Sequence, residues 1–406
     1  MTRPESPTVR LRAARRPSRA VGVLRPVAAL LSVLVLVVTG YGWSVYRGLT
    51  GGMAASGALD HASADGATDI LLVGLDSRTD AHGNPLPPAV LDQLNAGPDS
   101  GELNTDTLVL VRIPDDHSAQ ATAISIPRDS YVTIPGYGTH KINSAYQRAV
   151  TTARQSLSAK GVTGADLTTQ ADEAGRRELV QTVEQLTGAS IDHLAEINLA
   201  GFAEITQAVG GVQVCLNAPV HDTFSGANLP AGRQTLEGPQ ALAFVRQRHG
   251  LPRGDLDRIV RQQAFMASLA HHLLSAGTLA NPTQLRSLVD AVDRYVVLDA
   301  GWDVLGFAAS ASGLAGGAVS FQTIPTGSLA LRTPSDGDAV EVDPARVKAF
   351  VAALATGTAP EPPTATTSTP PATRPHKPTT TTTAPTPAAP TPTAPPITAA
   401  DVPCVN

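Results

Sequence analysis

A run of 21 residues without a charged side chain, Pro26 to Tyr46, constrains this chain more than any other feature. At a helical rise of about 1.5 Å per residue it spans about 30 Å, the thickness of a bilayer's hydrocarbon core. Seven arginines and one acid precede it, and Tyr41, Trp43 and Tyr46 close its far end. Basic residues on the cytoplasmic side and an aromatic girdle on the other mark an inserted helix. The expectation is a cytoplasmic Arg-rich segment over 1–25, one transmembrane helix over 26–46, and an extracytoplasmic location for the remainder of the chain. The protein would then be a single-pass protein of the cell membrane. Ala62-Ser63-Ala64 offers a rival, a cleaved signal peptide, but a signal's apolar stretch runs to about 7–15 residues and this one is longer.

Past residue 25 the chain is acidic, with 23 basic and 34 acidic side chains. That leaves no basic face for a nucleic acid, and none is expected as a partner. Lysine occurs only at 141, 160, 348 and 377, an arginine bias that suits a high-G+C genome. Two cysteines exclude a disulfide scaffold and a cysteine-based metal site. Cys215, inside the apolar run Gly211 to Leu216, reads most simply as a buried thiol, while a bond to Cys404 stays open to it outside the cytoplasm.

Residues 47–67, rich in Gly, Ala and Ser, read as a flexible stalk. Residues 357–406 are nearly all Pro, Thr and Ala and bury too little surface to offset their ordering entropy. They read as a disordered tail, either glycosylated and wall-threading or a plain spacer. Between these, 68–356 reads as one domain. Runs at 70–75, 107–113 and 121–126 are short and β-branched, as buried strands are. Helical patterns occupy 143–158, 172–187, 200–209, 238–247, 255–276, 284–296 and 344–356. Alternation of strand and helix predicts a layered α/β fold. Residues 80–103, full of Gly, Pro and Asn, read as a long loop of functional or mobile character.

The chain has no Gly-x-Ser-x-Gly elbow, no Walker loop, no Gly-x-Gly-x-x-Gly and no His-Glu-x-x-His. His271 and His272 are adjacent on a helix, about 100° apart, and read as packing or surface residues. Arginines and aspartates instead gather at strand ends: Asp76 and Arg78 after the first strand, Asp106 opening the second, Arg128 and Asp129 closing the third. Lys141 and Asn143 come next, then Arg246 and Arg248, then Asp255, Arg258, Arg261 and Gln262. The last four read as one helical face. Ligands of α/β sheets bind where strands end. Arginine grips phosphate oxygens in pairs, and Mg²⁺ takes one or two carboxylates plus substrate phosphates. The pattern points to anion binding with a divalent metal, against the plain alternative of surface ion pairs worth about 0–1 kcal/mol each.

The ordered motifs Leu-Val-Gly-Leu-Asp-Ser-Arg, Thr-Asp-Thr-Leu-Val-Leu, Ser-Ile-Pro-Arg-Asp, Lys-Ile-Asn-Ser-Ala-Tyr, Phe-Val-Arg-Gln-Arg and Asp-Leu-Asp-Arg-Ile-Val-Arg-Gln-Gln cover about 68–275. Together they resemble the LytR-CpsA-Psr family. The resemblance implies a three-layer α/β/α domain with a mixed central sheet. It also implies a transferase that moves a glycopolymer from a polyprenyl-pyrophosphate donor to peptidoglycan through a phosphodiester. For a high-G+C Gram-positive wall, the expected polymer is arabinogalactan or another secondary polysaccharide.

Carried over by position, Asp76 and Asp106 would hold Mg²⁺, with Mn²⁺ as the alternative. Arg128, Arg246, Arg248 and Arg258 would clamp the pyrophosphate, and Asp129 is the candidate base. Arg78, Lys141, Asn143, Asp255, Arg261 and Gln262 would support the substrate. Two departures stand beside this site. Many members carry Arg where this chain has Asn104, and the 80–103 loop is longer than the family's usual connection. The rival readings are a pyrophosphate hydrolase, a non-catalytic lipid-binding wall scaffold, and a transcription attenuator. Net acidity and the expected topology speak against the last.

Overall fold

The computed structural model describes residues 53–59, 66–97, 101, 103–115, 120–274, 281–304, 306–307, 319–355, 397–398 and 402–406. The segment over 1–25 and the membrane helix over 26–46 lie outside the described residues, among which no helix is long and apolar enough to cross a membrane.

Eight strands make the main sheet: β1 (Ala54–Ser56), β2 (Ala67–Leu75), β3 (Thr105–Pro114), β4 (Ala121–Ser125), β7 (His193–Asn198), β12 (Val296–Asp299), β13 (Val319–Thr323) and β16 (Ile397–Thr398). Their spatial order is β1-β12-β7-β2-β3-β4-β13-β16. The β2–β3 and β3–β4 pairs are antiparallel, whereas β2–β7 and β4–β13 are parallel, so the sheet is mixed. Of the other strands, β5 (Ser130–Ile134), β6 (Gly138–Lys141), β14 (Leu331–Arg332) and β15 (Asp338–Glu341) form one small sheet. A second joins β8 (Val212–Leu216), β11 (Gly232–Leu236) and β17 (Cys404–Val405), and β9 (Val220–Asp222) with β10 (Ala227–Leu229) makes a hairpin.

The central strands are apolar on both faces because both faces are covered. Leu71, Val73, Leu108 and Leu110 point into one core, shared with Tyr146, Val150, Leu179 and Val183 of helices Ala145–Ala159 and Gly164–Thr187. The alternate residues Leu72, Val109 and Val111 point the other way, toward Ala267 of helix Asp255–Leu274. That second side continues into a core built from helices Leu199–Ala208 and Gly238–Arg246 with Val212, Val214 and Phe265. A strand's period of two therefore places helices on both sides of the sheet.

Two boundaries differ from the sequence reading. Ala54–Ser56, inside the expected stalk of 47–67, is an edge strand in parallel register with Val297–Asp299, and Ala58 is buried. Its small side chains look like a linker, but its backbone completes a ladder. At the other end, most of the expected disordered tail of 357–406 lies outside the described residues, but 397–398 and 402–406 join the fold. Ile397 pairs with Phe321, and Val405 is buried beside Leu216. Cys404 is bonded to Cys215, so the thiol is not free. A covalent link and strand pairing supply what the Pro/Thr composition lacks. The helix predicted at 172–187 begins earlier, at Gly164, and the 80–103 loop contains the short helix Pro88–Gln93.

Candidate functional site

The antiparallel β2–β3 pair brings the end of one strand against the start of the other. Asp76 N–H donates to the Asn104 carbonyl at 3.0 Å, which sets Asp76 beside Asp106. The close approach just before this point needs a glycine: a Cβ on Gly74 would sit 2.9 Å from the Thr107 Cβ. In the β3–β4 ladder Val109 faces Ser125. Continued three residues outward, that register sets Asp106 opposite Arg128, and the two side chains form an ion pair. A turn closed by Ser130 N–H on the Pro127 carbonyl, at 3.0 Å, holds Arg128 at its corner. The Asn143 N–H grips the Arg128 carbonyl at 3.1 Å.

These residues open onto a cleft of about 260 Å³. Asp76, Asp106 and Asn104 line it together with Arg128, Arg246, Arg248 and Arg258. Asp222, Phe224, Ser225 and His249 complete the wall. Asp76 Oδ1 accepts from Arg78 Nη1 at 2.6 Å. Burial pushes the Asp76 carboxyl up, Arg78 pulls it back, and the neighbouring Asp106 pushes it up again. Arg258 is almost fully buried and paired with Asp255 at 2.5 Å, its Nε without a hydrogen-bond partner. Burial pushes the Arg258 guanidinium down and the Asp255 carboxyl up, each held against that by the other's charge. Arg248 is exposed at the cleft, with no ion pair or hydrogen bond of its side chain among the described residues.

Of the other predicted residues, Arg78, Asp129 and Gln262 are not among those that line the cleft, and Arg246 lines it while bonding backward. Arg78 Nη2 donates to the Ala96 carbonyl at 2.7 Å, and Arg246 Nη1 reaches the Leu94 and Asn95 carbonyls at 3.2 Å each. Two arginines thus hold the last carbonyls after helix Pro88–Gln93, where the helix leaves acceptors unsatisfied. Asp129 lies 3.2 Å from Lys141 Nζ and 3.8 Å from Arg128 Nε and is not among the cleft-lining residues, an arrangement that orients Arg128. Gln262 Nε2 donates to Thr107 Oγ1 at 3.1 Å and to the Val245 carbonyl at 3.3 Å, tying β3 to the helix that carries Arg246.

Arg261 departs from the single-face reading. Six residues beyond Asp255 amounts to about 240° of helical rotation, which leaves Arg261 about 60° from Arg258 but about 120° from Asp255 and about 100° from Gln262. Its guanidinium lies over the Phe244 ring, 5.1 Å from the centroid, and donates to the Asn406 carbonyl. Arg261 therefore anchors the returning C-terminal strand and takes no part in the cleft wall, and burial pushes it down to about 10. Sequence reading missed Asp222, Phe224, Ser225 and His249. The segment from Asp222 to Gly226 carries a turn composition, and nothing in it announces a ligand. His272 packs by its ring nitrogen on the Val209 carbonyl at 2.9 Å, as the adjacent-histidine argument expects.

Two carboxylates, each with one oxygen committed to an arginine and one uncommitted, face four guanidinium groups. Among the described residues no group of three or more His, Cys, Asp or Glu side chains gathers to hold a metal. Two hard oxygen ligands nonetheless fit a Mg²⁺ that completes its shell with water and phosphate oxygens. The mixed sheet and this cleft define an α/β protein whose strand ends gather arginines and aspartates on one opening. The chain belongs to the LytR_cpsA_psr family, whose profile matches residues 48–350.

Relatives support that membership. The cell wall biosynthesis protein LcpA of Corynebacterium glutamicum is 50% identical over 338 residues, 81% of this chain and 64% of that protein. The chain thus spans just under two thirds of LcpA's length. The polyisoprenyl-teichoic acid–peptidoglycan teichoic acid transferase TagU of Oceanobacillus iheyensis is 33% identical over 240 residues, 59% of this chain and 61% of that protein. A LytR-Csp2A-Psr enzyme from Actinomyces oris shares the fold at a TM-score of 0.50 and 22% identity, over 76% of this chain and 97% of that one.

Proposed function

We propose that this protein is a membrane-anchored, extracytoplasmic phosphotransferase that moves a cell wall glycopolymer from a polyprenyl-pyrophosphate carrier to peptidoglycan. The observation that carries the reading is the convergence of Asp76, Asp106, Arg128, Arg246, Arg248 and Arg258 from separate segments on one cleft. Teichoic acid is what TagU's name says that enzyme transfers. For this chain, half identical to a corynebacterial cell wall biosynthesis protein, arabinogalactan or another secondary wall polysaccharide is the fitting cargo.

In the proposed reaction the acceptor hydroxyl oxygen attacks the phosphorus next to the glycan. A new P–O bond forms and the bond to the bridging oxygen breaks. Polyprenyl phosphate leaves with the electron pair, and the hydroxyl proton passes to solvent. Phosphoryl transfer asks a protein mainly for positioning and charge neutralisation. Arg128, Arg246, Arg248 and Arg258 bind and orient the diphosphate oxygens, and the buried Arg258 meets them with little reorganisation. Asp76 and Asp106 would hold Mg²⁺, which when bound draws the diphosphate charge and polarises the phosphorus. Asp129, committed to Lys141 and Arg128, positions the latter.

The test tracks release of polyprenyl phosphate and gain of glycan on peptidoglycan fragments, using the full chain with Mg²⁺ and a polyprenyl-pyrophosphate glycan. Transfer by the wild type that Asp106→Ala abolishes supports the assignment. Phosphate release without glycan gain would make the protein a hydrolase, and binding without either reaction would make it a scaffold.

A further inference from the structure

Phe224 is the most exposed large apolar side chain among the described residues, at 70%. An aromatic ring left in water forgoes roughly 1.5–3 kcal/mol of burial, and this one lines the same cleft as the arginines. Its position is tightly specified. Phe224 N–H donates to Asp222 Oδ1 at 3.0 Å, and Ser225 Oγ donates to the other Asp222 oxygen at 2.8 Å. Asp222 itself is buried. The Phe224 ring stacks on His249 with centroids 4.1 Å apart and planes inclined by 28°.

The hairpin tip is also coupled to the anion site. Asn95 Nδ2 donates to the Phe224 carbonyl at 3.0 Å, while the Asn95 carbonyl accepts from Arg246 at 3.2 Å. Asn95 has φ of 49°, and among the described residues no other non-glycine residue is left-handed. Asparagine tolerates that conformation better than most, and it lets one residue bond both ways. A guanidinium that grips phosphate is thereby held in fixed relation to an exposed aromatic ring.

We propose that Phe224, backed by His249, is a stacking platform for the sugar ring next to the diphosphate, and so a specificity-determining residue for the glycan. This rests on the phosphotransferase reading above. The surroundings select a sugar over an isoprenoid. A polyprenyl chain wants continuous apolar walls, but Phe224 stacks on His249 and every other side chain that lines the cleft, Ser225, Asn104 and Arg248 among them, is polar or charged. A sugar has an apolar C–H face that matches an aromatic ring and a hydroxyl rim that matches such polar neighbours.

The test measures binding by the full chain of two probes, a short polyprenyl pyrophosphate carrying a disaccharide and the same lipid pyrophosphate without sugar. Phe224→Ala is expected to weaken the glycosylated probe about tenfold while leaving the bare one within about twofold. Phe224→Tyr should restore the preference, and His249→Ala should lower it partially by removing the ring's backing. Equal weakening of both probes by Phe224→Ala would assign the ring to the lipid diphosphate, and no weakening of either would make it a bystander. Either result overturns the proposal while leaving the diphosphate reading intact. A wild type that binds neither probe overturns both together.

Discussion

Arginine and carboxylate meet in two regions of this molecule with opposite consequences. Beneath the sheet, Arg176 grips Glu196 with two hydrogen bonds of 3.1 and 3.0 Å, and Glu173 accepts from Ser56 at 2.8 Å. Burial works against the Arg176 charge, but the charge and hydrogen bond of Glu196, together with Tyr146 and Asp172, push the guanidinium up on balance. In the cleft, Asp106 pairs with Arg128 through one oxygen only, both stay partly exposed, and Arg248 stands without a partner among the described residues. The buried Arg176–Glu196 pair closes on itself with two hydrogen bonds, and Glu173, whose other oxygen has no hydrogen-bond partner, ties β1 to a helix through Ser56. The cleft leaves hydrogen-bonding capacity over, which a polyanion and its metal can take up. The same side chains mark structure or function according to what remains unspent.

The sharpest way to break this contrast is Glu196→Gln, which takes from a buried guanidinium its hydrogen-bonded countercharge and leaves it with Glu173, 3.6 Å away. We expect a loss of about 3–5 kcal/mol in denaturant unfolding, and a loss under about 1 kcal/mol would erase the distinction. Arg248→Ala should do the reverse, lowering transfer about 10²–10³-fold with an unfolding midpoint unchanged in the same titration. Cys215→Ser, which releases the link to Cys404 across 189 residues of sequence, should cost about 2–4 kcal/mol of stability. It should also leave Arg261 without the Asn406 carbonyl, and transfer by the folded fraction should persist.

A smaller effect sharpens the buried side. Burial raises the Asp172 carboxyl to about 6, against the pull of Arg176. Because its folded value lies above the unfolded 3.8, the folded state binds this proton more tightly. The residue's contribution is then most favourable below pH 4 and is lost as pH rises through about 6. Asp172→Asn should flatten the pH dependence of unfolding across that window, by about 1–3 kcal/mol. Identical pH profiles for variant and wild type would show that the burial has no energetic reach.

The central strands were legible because β2, β3 and β4 are buried on both faces and so read as continuous apolar runs. The helices were legible from their period, Asp76, Asp106 and Arg128 from their places at strand ends, and Arg246, Arg248 and Arg258 from the arginine motifs at one helix's end and the next helix's start. Edge strands were not. Ala54–Ser56 and Ile397–Thr398 form by backbone pairing with partners distant in sequence, and backbone pairing leaves little trace in side-chain type.

The sequence by itself determined which side chains the cleft would gather, because arginines and aspartates recur in its ordered motifs. Tertiary structure decided what each of them does. Register set Asp106 against Arg128, helical rotation turned Arg261 from ligand to anchor, and a hairpin from elsewhere in the chain brought Phe224 to the cleft. The physical reason is that chemical identity is local, whereas a contact depends on ladders and crossings between segments far apart in the chain.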